Sequence, residues 1–210
     1  MIGSVFEVEV RFPFNNPEEA YRTLPFLHTC LTKERSWSDR FYGLDIFKSG
    51  LLLRVSTSFT GQEGQRVDLG WKGPDIGKLA NIRKEIEEDI TRGIASSSIL
   101  AQLGAKTDAD SCDEVIREIQ GLGHKQFMAS KGKNRIGYYK PYEIDVKLMT
   151  CRDIKWPVIV ELEKKAHTWS EAAQCERELD KICSAFNLER RMIRQEPPAM
   201  LYRRFYTFGE

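Results

Sequence analysis

The chain is poor in the residues on which common catalytic and metal centres are built. Three histidines, His28, His124 and His167, occur in 210 residues, with no H-E-x-x-H pair and no nucleophile elbow. A histidine-ligated metal or a Ser-His triad is therefore not expected. The five cysteines, Cys30, Cys112, Cys151, Cys175 and Cys183, are odd in number and never spaced C-x-x-C. They read as reduced, mostly buried thiols rather than a disulfide frame or a zinc site. Gly77-Lys78-Leu79 lacks both the Ser/Thr and the upstream glycine of a Walker loop. Neither sign of charge dominates, since 32 Lys and Arg against 31 Asp and Glu leave +1, so no global basic field draws the chain to nucleic acid. That parity, with 41% hydrophobic residues, also excludes the disordered class. No apolar run approaches the ~18 residues of a membrane-spanning helix. Glu7, Glu9 and Arg11 would not be tolerated in a signal-peptide core. A cytoplasmic protein away from membranes is expected, long enough to bury roughly 70% of its unfolded surface.

What the sequence does have is strict alternation. Phe6, Val8, Val10 and Phe12 share one parity, and Glu7, Glu9 and Arg11 share the other. A strand with this pattern carries an apolar row on one face and charges on the opposite face. The pattern recurs where Arg54 and Ser56 oppose Leu53 and Val55, and where Asp68 and Lys72 oppose Val67, Leu69 and Trp71. Arg83, Glu85, Glu87 and Asp89 oppose Ile82, Ile86 and Ile90; Glu143, Asp145 and Lys147 oppose Tyr142, Ile144 and Val146. Lys131, Lys133 and Arg135 share a parity with a poorer apolar side, and Glu161, Glu163 and Lys165 oppose Val158, Val160 and Leu162.

Helices interrupt the strands. Asn16 before Pro17, Glu18 and Glu19 is a helix start, with Asn as cap and Pro in the first turn. Asp110-Ser111 opens a second helix to Gly121, and Thr168-Trp169-Ser170-Glu171 is a capping box for a third, running to about Leu188. A turn or two is expected between Ser96 and Leu103. Glu176, on the last long helix, reads as an exposed position without function. The cluster Arg190, Arg191, Arg194, Arg203 and Arg204 reads as a solvated end rather than an RNA surface.

Two architectures fit: an open sheet with its charged faces in solvent, or a closed barrel whose lumen they line, wide enough for one small ligand. Both signs of charge share the same faces, those that would line a lumen. Paired carboxylates at i and i+2 suit hard cations, which prefer oxygen ligands, while Arg and Lys neutralise phosphate oxygens. The competing account is cross-pairing of charges between neighbouring strands.

Taken in order, the motifs resemble those of the CYTH superfamily, the triphosphate tunnel metalloenzymes. Glu7-Val8-Glu9-Val10-Arg11 resembles its E-x-E-x-K strand, and Leu52-Leu53-Arg54-Val55 its L-R-x-R strand. Leu69-Gly70-Trp71-Lys72-Gly73-Pro74 resembles L-T-x-K-G-P, and Arg83-Lys84-Glu85-Ile86-Glu87 resembles R-x-E-x-E. Lys133-Asn134-Arg135 through Tyr138 is similar to K-x-R-x-x-Y, followed by Asp145, and Glu161-Leu162-Glu163 resembles the late E-x-E strand. Arg11 stands where the family has Lys, and Ser56 replaces the second Arg of L-R-x-R.

The resemblance implies an α+β fold: one tunnel domain over residues 1–210, a closed eight-stranded antiparallel barrel with a polar lumen and helices packed outside. It implies catalytic carboxylates at Glu7, Glu9, Glu161 and Glu163, and Mg²⁺ or Mn²⁺ held by these with Glu85, Glu87 and Asp145. Triphosphate would be gripped by Arg11, Arg54, Lys72, Arg83, Lys133 and Arg135. The expected activity is metal-dependent hydrolysis of a linear triphosphate (inorganic, nucleoside or thiamine). The alternatives are class IV adenylyl cyclase chemistry or a low-activity triphosphate-binding regulator. The expected partner is the small triphosphate itself; monomer and homodimer both stay open.

Overall fold

The computed structural model of the chain describes residues 5–61 and 63–206. Eight strands form a closed antiparallel barrel: β1 (Val5–Phe14), β2 (Leu31–Tyr42), β3 (Leu52–Thr60), β4 (Gly64–Lys72), β5 (Asn81–Asp89), β6 (Gln126–Tyr139), β7 (Ile144–Thr150) and β8 (Val158–Ala166). Their order is β1-β5-β4-β3-β2-β6-β7-β8, so no edge strand is left. Seven α-helices among the described residues lie outside: α1 (Pro17–Thr23), α2 (Leu27–Cys30), α3 (Leu44–Lys48), α4 (Ser98–Leu103), α5 (Cys112–Gly121), α6 (Trp169–Ala185) and α7 (Pro197–Tyr206). The closed alternative is thus the one realised. None of the described helices is long and apolar enough to cross a membrane.

The chain divides into two compact units. Among the described residues, a terminal unit comprises residues 6–36, 76–83 and 132–206; a central unit comprises Val5 and residues 37–61, 63–75 and 84–131. Each has its own hydrophobic core.

In the terminal unit β1 pairs with β8, Phe6 opposite Ala166 and Phe14 opposite Val158, and β8 pairs with β7, Asp145 opposite Glu163. The alternation becomes two faces. Val8, Val10 and Phe12 join Val146, Leu148, Val160 and Leu162 in a core that Ala172, Leu179, Ile182 and Cys183 of α6 cover. Truncating Phe12, which is fully buried, to alanine would cost about 3–5 kcal/mol. The caps read from sequence are present: Asn16 accepts from the Glu19 N–H at 2.8 Å and Thr168 from the Glu171 N–H at 3.2 Å. The Glu171 carboxylate reaches back to the N–H of His167, one residue before the cap.

Two expectations for this unit are corrected. Glu176 is a fastening and not an idle position, for its Oε1 accepts the backbone N–H groups of Lys78, Leu79 and Ala80 at 3.0, 2.8 and 3.0 Å. Three successive N–H groups converge there into an anion-holding concavity. Gly77 permits that loop, since a Cβ there would lie 2.0 Å from the Ala80 carbonyl oxygen. Nor is the arginine cluster simply solvated. Arg191 donates to Glu19 at 2.6 Å and lies 4.7 Å from the Phe14 ring centre. Arg194 donates to the carbonyls of Gly77 and Lys78, and Arg204 to that of Arg152. Between them the Ile193 N–H donates to the Arg11 carbonyl at 2.9 Å, so residues 188–196 run back along β1 as a strap.

In the central unit β3, β4 and β5 pair in register, Arg54 opposite Gly70 and Gly70 opposite Glu87. Leu53, Val55, Leu69 and Ile86 pack with α4 and α5 residues such as Ile99, Leu100, Val115 and Ile119. Buried Glu88 ties β5 to α4, accepting from the Ser97 hydroxyl and from the Ser98 N–H.

Candidate functional site

On the polar face of β1, β8 and β7 the register brings charged residues together in ranks. Glu9 lies opposite Glu163, itself opposite Asp145, and Arg11 lies opposite Glu161, itself opposite Lys147. Glu7, Glu9 and Glu163 each offer a carboxylate oxygen within 4.8 Å of the others. Among the described residues this is the carboxylate group close enough to share a cation, and its all-oxygen donor set suits Mg²⁺ or Mn²⁺. Burial, and then the Glu7 charge, pushes Glu163 well above the usual carboxylate range. Oxygen ligands crowded in this way are what a hard divalent ion would neutralise.

Arg11, only 2% exposed, is the hub beside this group. Its Nε donates to Glu161 at 2.9 Å, its Nη1 to the Asn81 side chain at 3.0 Å, and its Nη2 to Glu9 and, at 3.4 Å, to Glu196. Burial opposes its charge, but Glu9, Glu161 and Glu196 override that and raise its pKa. Glu161 also pairs with Lys147. Burial would raise the Glu161 carboxyl, yet Lys147 and Arg11 hold it down to about 2. Arg83 Nε lies 3.0 Å from Glu196 Oε1.

The central unit carries its own charged group. The Arg54 guanidinium lies 3.2 Å from Glu87, 3.8 Å from Glu85 and 3.6 Å from Asp39, and Lys72 lies 3.3 Å from Glu85. Gly70 makes room for it, because a Cβ there would meet the Arg54 side chain at 3.2 Å. Asp68 faces Ser56 across the register and binds Arg66; its carboxyl is raised, chiefly by burial.

The structure therefore gathers Glu7, Glu9, Arg11, Glu161 and Glu163 in one unit, and Arg54, Lys72, Glu85 and Glu87 in the other. Asp145 shares the face of Glu163 but is exposed and outside the three-carboxylate group. Lys133 and Arg135 stand apart. Their register partners are Thr150 and Leu148, so they share the face of the apolar core row of β7, whereas buried Asn134 has the other parity. Lys133 pairs with Glu34, both mostly exposed, and Arg135 donates to the Tyr21 hydroxyl.

Sequence reasoning missed Lys147, Asn81, Asp39 and Glu196. Lys147 was within reach, two residues beyond Asp145 on an alternating strand. Asn81, Asp39 and Glu196 leave no such signal, as Asn81 begins β5, Asp39 sits on a strand polar on both faces, and Glu196 precedes a helix.

No family model matches this sequence, and no curated protein matches it. Solved structures do. The PH1819 protein from Pyrococcus horikoshii OT3 is 19% identical with a TM-score of 0.71, over 93% of this chain and 97% of that one. A putative adenylate cyclase from Vibrio parahaemolyticus is 15% identical with a TM-score of 0.63, over 93% and 97%. HpAC1 from Hippeastrum, a putative adenylyl cyclase described as having a dominant triphosphatase activity, is 15% identical with a TM-score of 0.53, over 87% and 88%. At these identities the likeness establishes a shared fold, and it is the barrel that the CYTH resemblance implied.

Proposed function

We propose that this protein binds a linear triphosphate with Mg²⁺ or Mn²⁺ and hydrolyses it. The observation that carries the reading is the group Glu7, Glu9 and Glu163, oxygen donors within 4.8 Å of one another, set beside buried Arg11 and half-buried Lys147 on one strand face. Those carboxylates would hold the divalent ion, which when bound would supply charge neutralisation to the phosphate oxygens. Arg83 and Lys147 bring positive charge to the anion, and Arg11 keeps Glu9 and Glu161 in place by its hydrogen bonds. Arg54 and Lys72 are the phosphate-binding candidates of the central unit, with Glu85 and Glu87 orienting them. In the reaction a water oxygen bonds to the terminal phosphorus and the bridging P–O bond breaks. Pyrophosphate leaves when the substrate is tripolyphosphate, and the proton passes to solvent. Positioning and electrostatics account for most of such catalysis. The triphosphatase activity described for the Hippeastrum protein supports the same reading.

Phosphate release from tripolyphosphate, ATP and thiamine triphosphate, with Mg²⁺ or Mn²⁺ and with EDTA, tests it. Metal-dependent release abolished by Glu163→Gln is the expected result; no release from any of the three overturns hydrolysis. The Vibrio parahaemolyticus neighbour favours a second reading, cyclisation of ATP. Equal amounts of cyclic AMP and pyrophosphate from ATP would establish it.

A further inference from the structure

The strap brings one carboxylate onto two guanidiniums. Glu196 is buried, with its Oε1 3.0 Å from Arg83 Nε and 3.4 Å from Arg11 Nη2. Its placement is built into the chain. Arg191 is fastened to Glu19 and to the Pro13 carbonyl, Ile193 to the Arg11 carbonyl, and Arg194 to the carbonyls of Gly77 and Lys78. Glu196 follows two residues later, and Pro197-Pro198 then stiffens the start of α7, whose Met200 N–H bonds to the Glu196 carbonyl. Five hydrogen bonds from Arg191, Ile193 and Arg194 thus fix the segment that carries Glu196.

We infer that Glu196 is the resident anion of the Arg11–Arg83 pair, occupying the place of a phosphate group, and that its displacement sets how tightly the site takes polyphosphate. This rests on the triphosphate reading above. A carboxylate and a phosphate offer a guanidinium the same kind of paired oxygen acceptors, so one replaces the other without new donors. Arg11 also shows which bond yields. Its contacts to Glu161 and Asn81 are 2.9 and 3.0 Å and Glu9 is closer still, whereas the 3.4 Å bond to Glu196 is the longest of the four. A phosphate oxygen taking that place leaves the carboxylates beside the metal site undisturbed. The carboxylate is tethered, so it competes at constant effective concentration, and polyphosphate affinity falls by the fraction of time that the site is occupied.

The test is calorimetric titration of tripolyphosphate with Mg²⁺ into the full-length wild type and Glu196→Gln, with hydrogen exchange of residues 188–196 followed with and without ligand. Glu196→Gln should bind about tenfold more tightly. In the wild type, tripolyphosphate should speed exchange at the Ile193 amide as the strap lifts. Arg194→Ala, which loosens the strap while keeping Glu196, should tighten binding in the same direction and serves if Glu196→Gln folds poorly. Wild-type binding with equal or weaker binding by the variants overturns the inference and leaves the triphosphate reading standing. Tighter binding by Glu196→Gln with no change in strap exchange also overturns it, for the carboxylate would then repel the ligand without being displaced. Failure of every protein to bind tripolyphosphate removes the triphosphate reading and this inference with it.

Discussion

Glu176 Oε1 and the Leu79 N–H are joined at 2.8 Å, the shortest of three bonds by which helix α6 holds the loop leading into β5. Removing the acceptor leaves three backbone donors without it. Glu176→Ala should therefore destabilise the protein by about 1–3 kcal/mol, and Glu176→Gln, which keeps an oxygen acceptor and loses the charge, by about 1 kcal/mol. Urea unfolding of both variants measures this. An alanine variant as stable as the wild type would mean that residues 76–80 hold their shape without the carboxylate.

Lys147 and Glu161 face each other across the β7–β8 register, and Glu161 is almost wholly buried. Losing Lys147 would leave the Glu161 charge to Arg11 alone. Lys147→Met should cost about 2 kcal/mol, below the range for fully buried pairs because Lys147 keeps some solvent contact. With Glu161→Gln already present, the same change should cost much less, and the double-mutant cycle reports the difference. Additive losses would show that the two charges are not coupled.

The faces of β6 and β3 separate two sets of expected phosphate ligands. Lys133 and Arg135 share the parity of Leu148 and pair with Glu34 and Tyr21. Lys133→Ala and Arg135→Ala should change phosphate release less than about twofold, because neither side chain lies on the carboxylate face and removing it takes nothing from transition-state binding. Arg54→Ala should lower it by about tenfold or more, a loss of ~1.4 kcal/mol in transition-state binding. Steady-state assays on tripolyphosphate decide. Equal losses from all three would contradict the assignment of faces.

That contrast shows how far sequence could go. Period-two alternation tells which residues share a face, and for β1, β3, β4, β5, β7 and β8 the apolar row also told which face is the core. On β6 Lys133 and Arg135 share a parity as read, but the opposite parity holds Met128, Ser130 and Asn134, too mixed to mark its side, and the charges were given the wrong face. β2 was not foreseen at all. Thr32, Glu34, Ser36 and Ser38 lie exposed on one parity while Arg35, Trp37 and Asp39 lie on the other, so no apolar row contrasts with a polar one. The strap around Glu196 has no period, since single side chains fasten it to residues more than a hundred positions away.

Cys183 lies on the core-facing side of α6, and burial, with smaller contributions from Asp180 and Glu189, pushes its thiol up to about 11 from an ordinary value of 9.0. The unfolded chain thus loses this proton first as pH rises. The stability that the neutral thiol contributes is whole below pH 9 and is lost between 9 and about 11, with a slope of up to ~1.4 kcal/mol per pH unit. Unfolding in urea at pH 7.5, 9 and 10 should show the wild type losing stability more steeply than Cys183→Ala above pH 9. Parallel curves would mean that the folded and unfolded thiols titrate alike. Buried Cys30 and Cys151 are also raised by burial, so they slope both curves equally and cancel in the comparison. At pH 8 a water-soluble disulfide reagent should leave Cys183 of the native protein unmodified and label it once urea exposes it, because the thiolate is the reacting species.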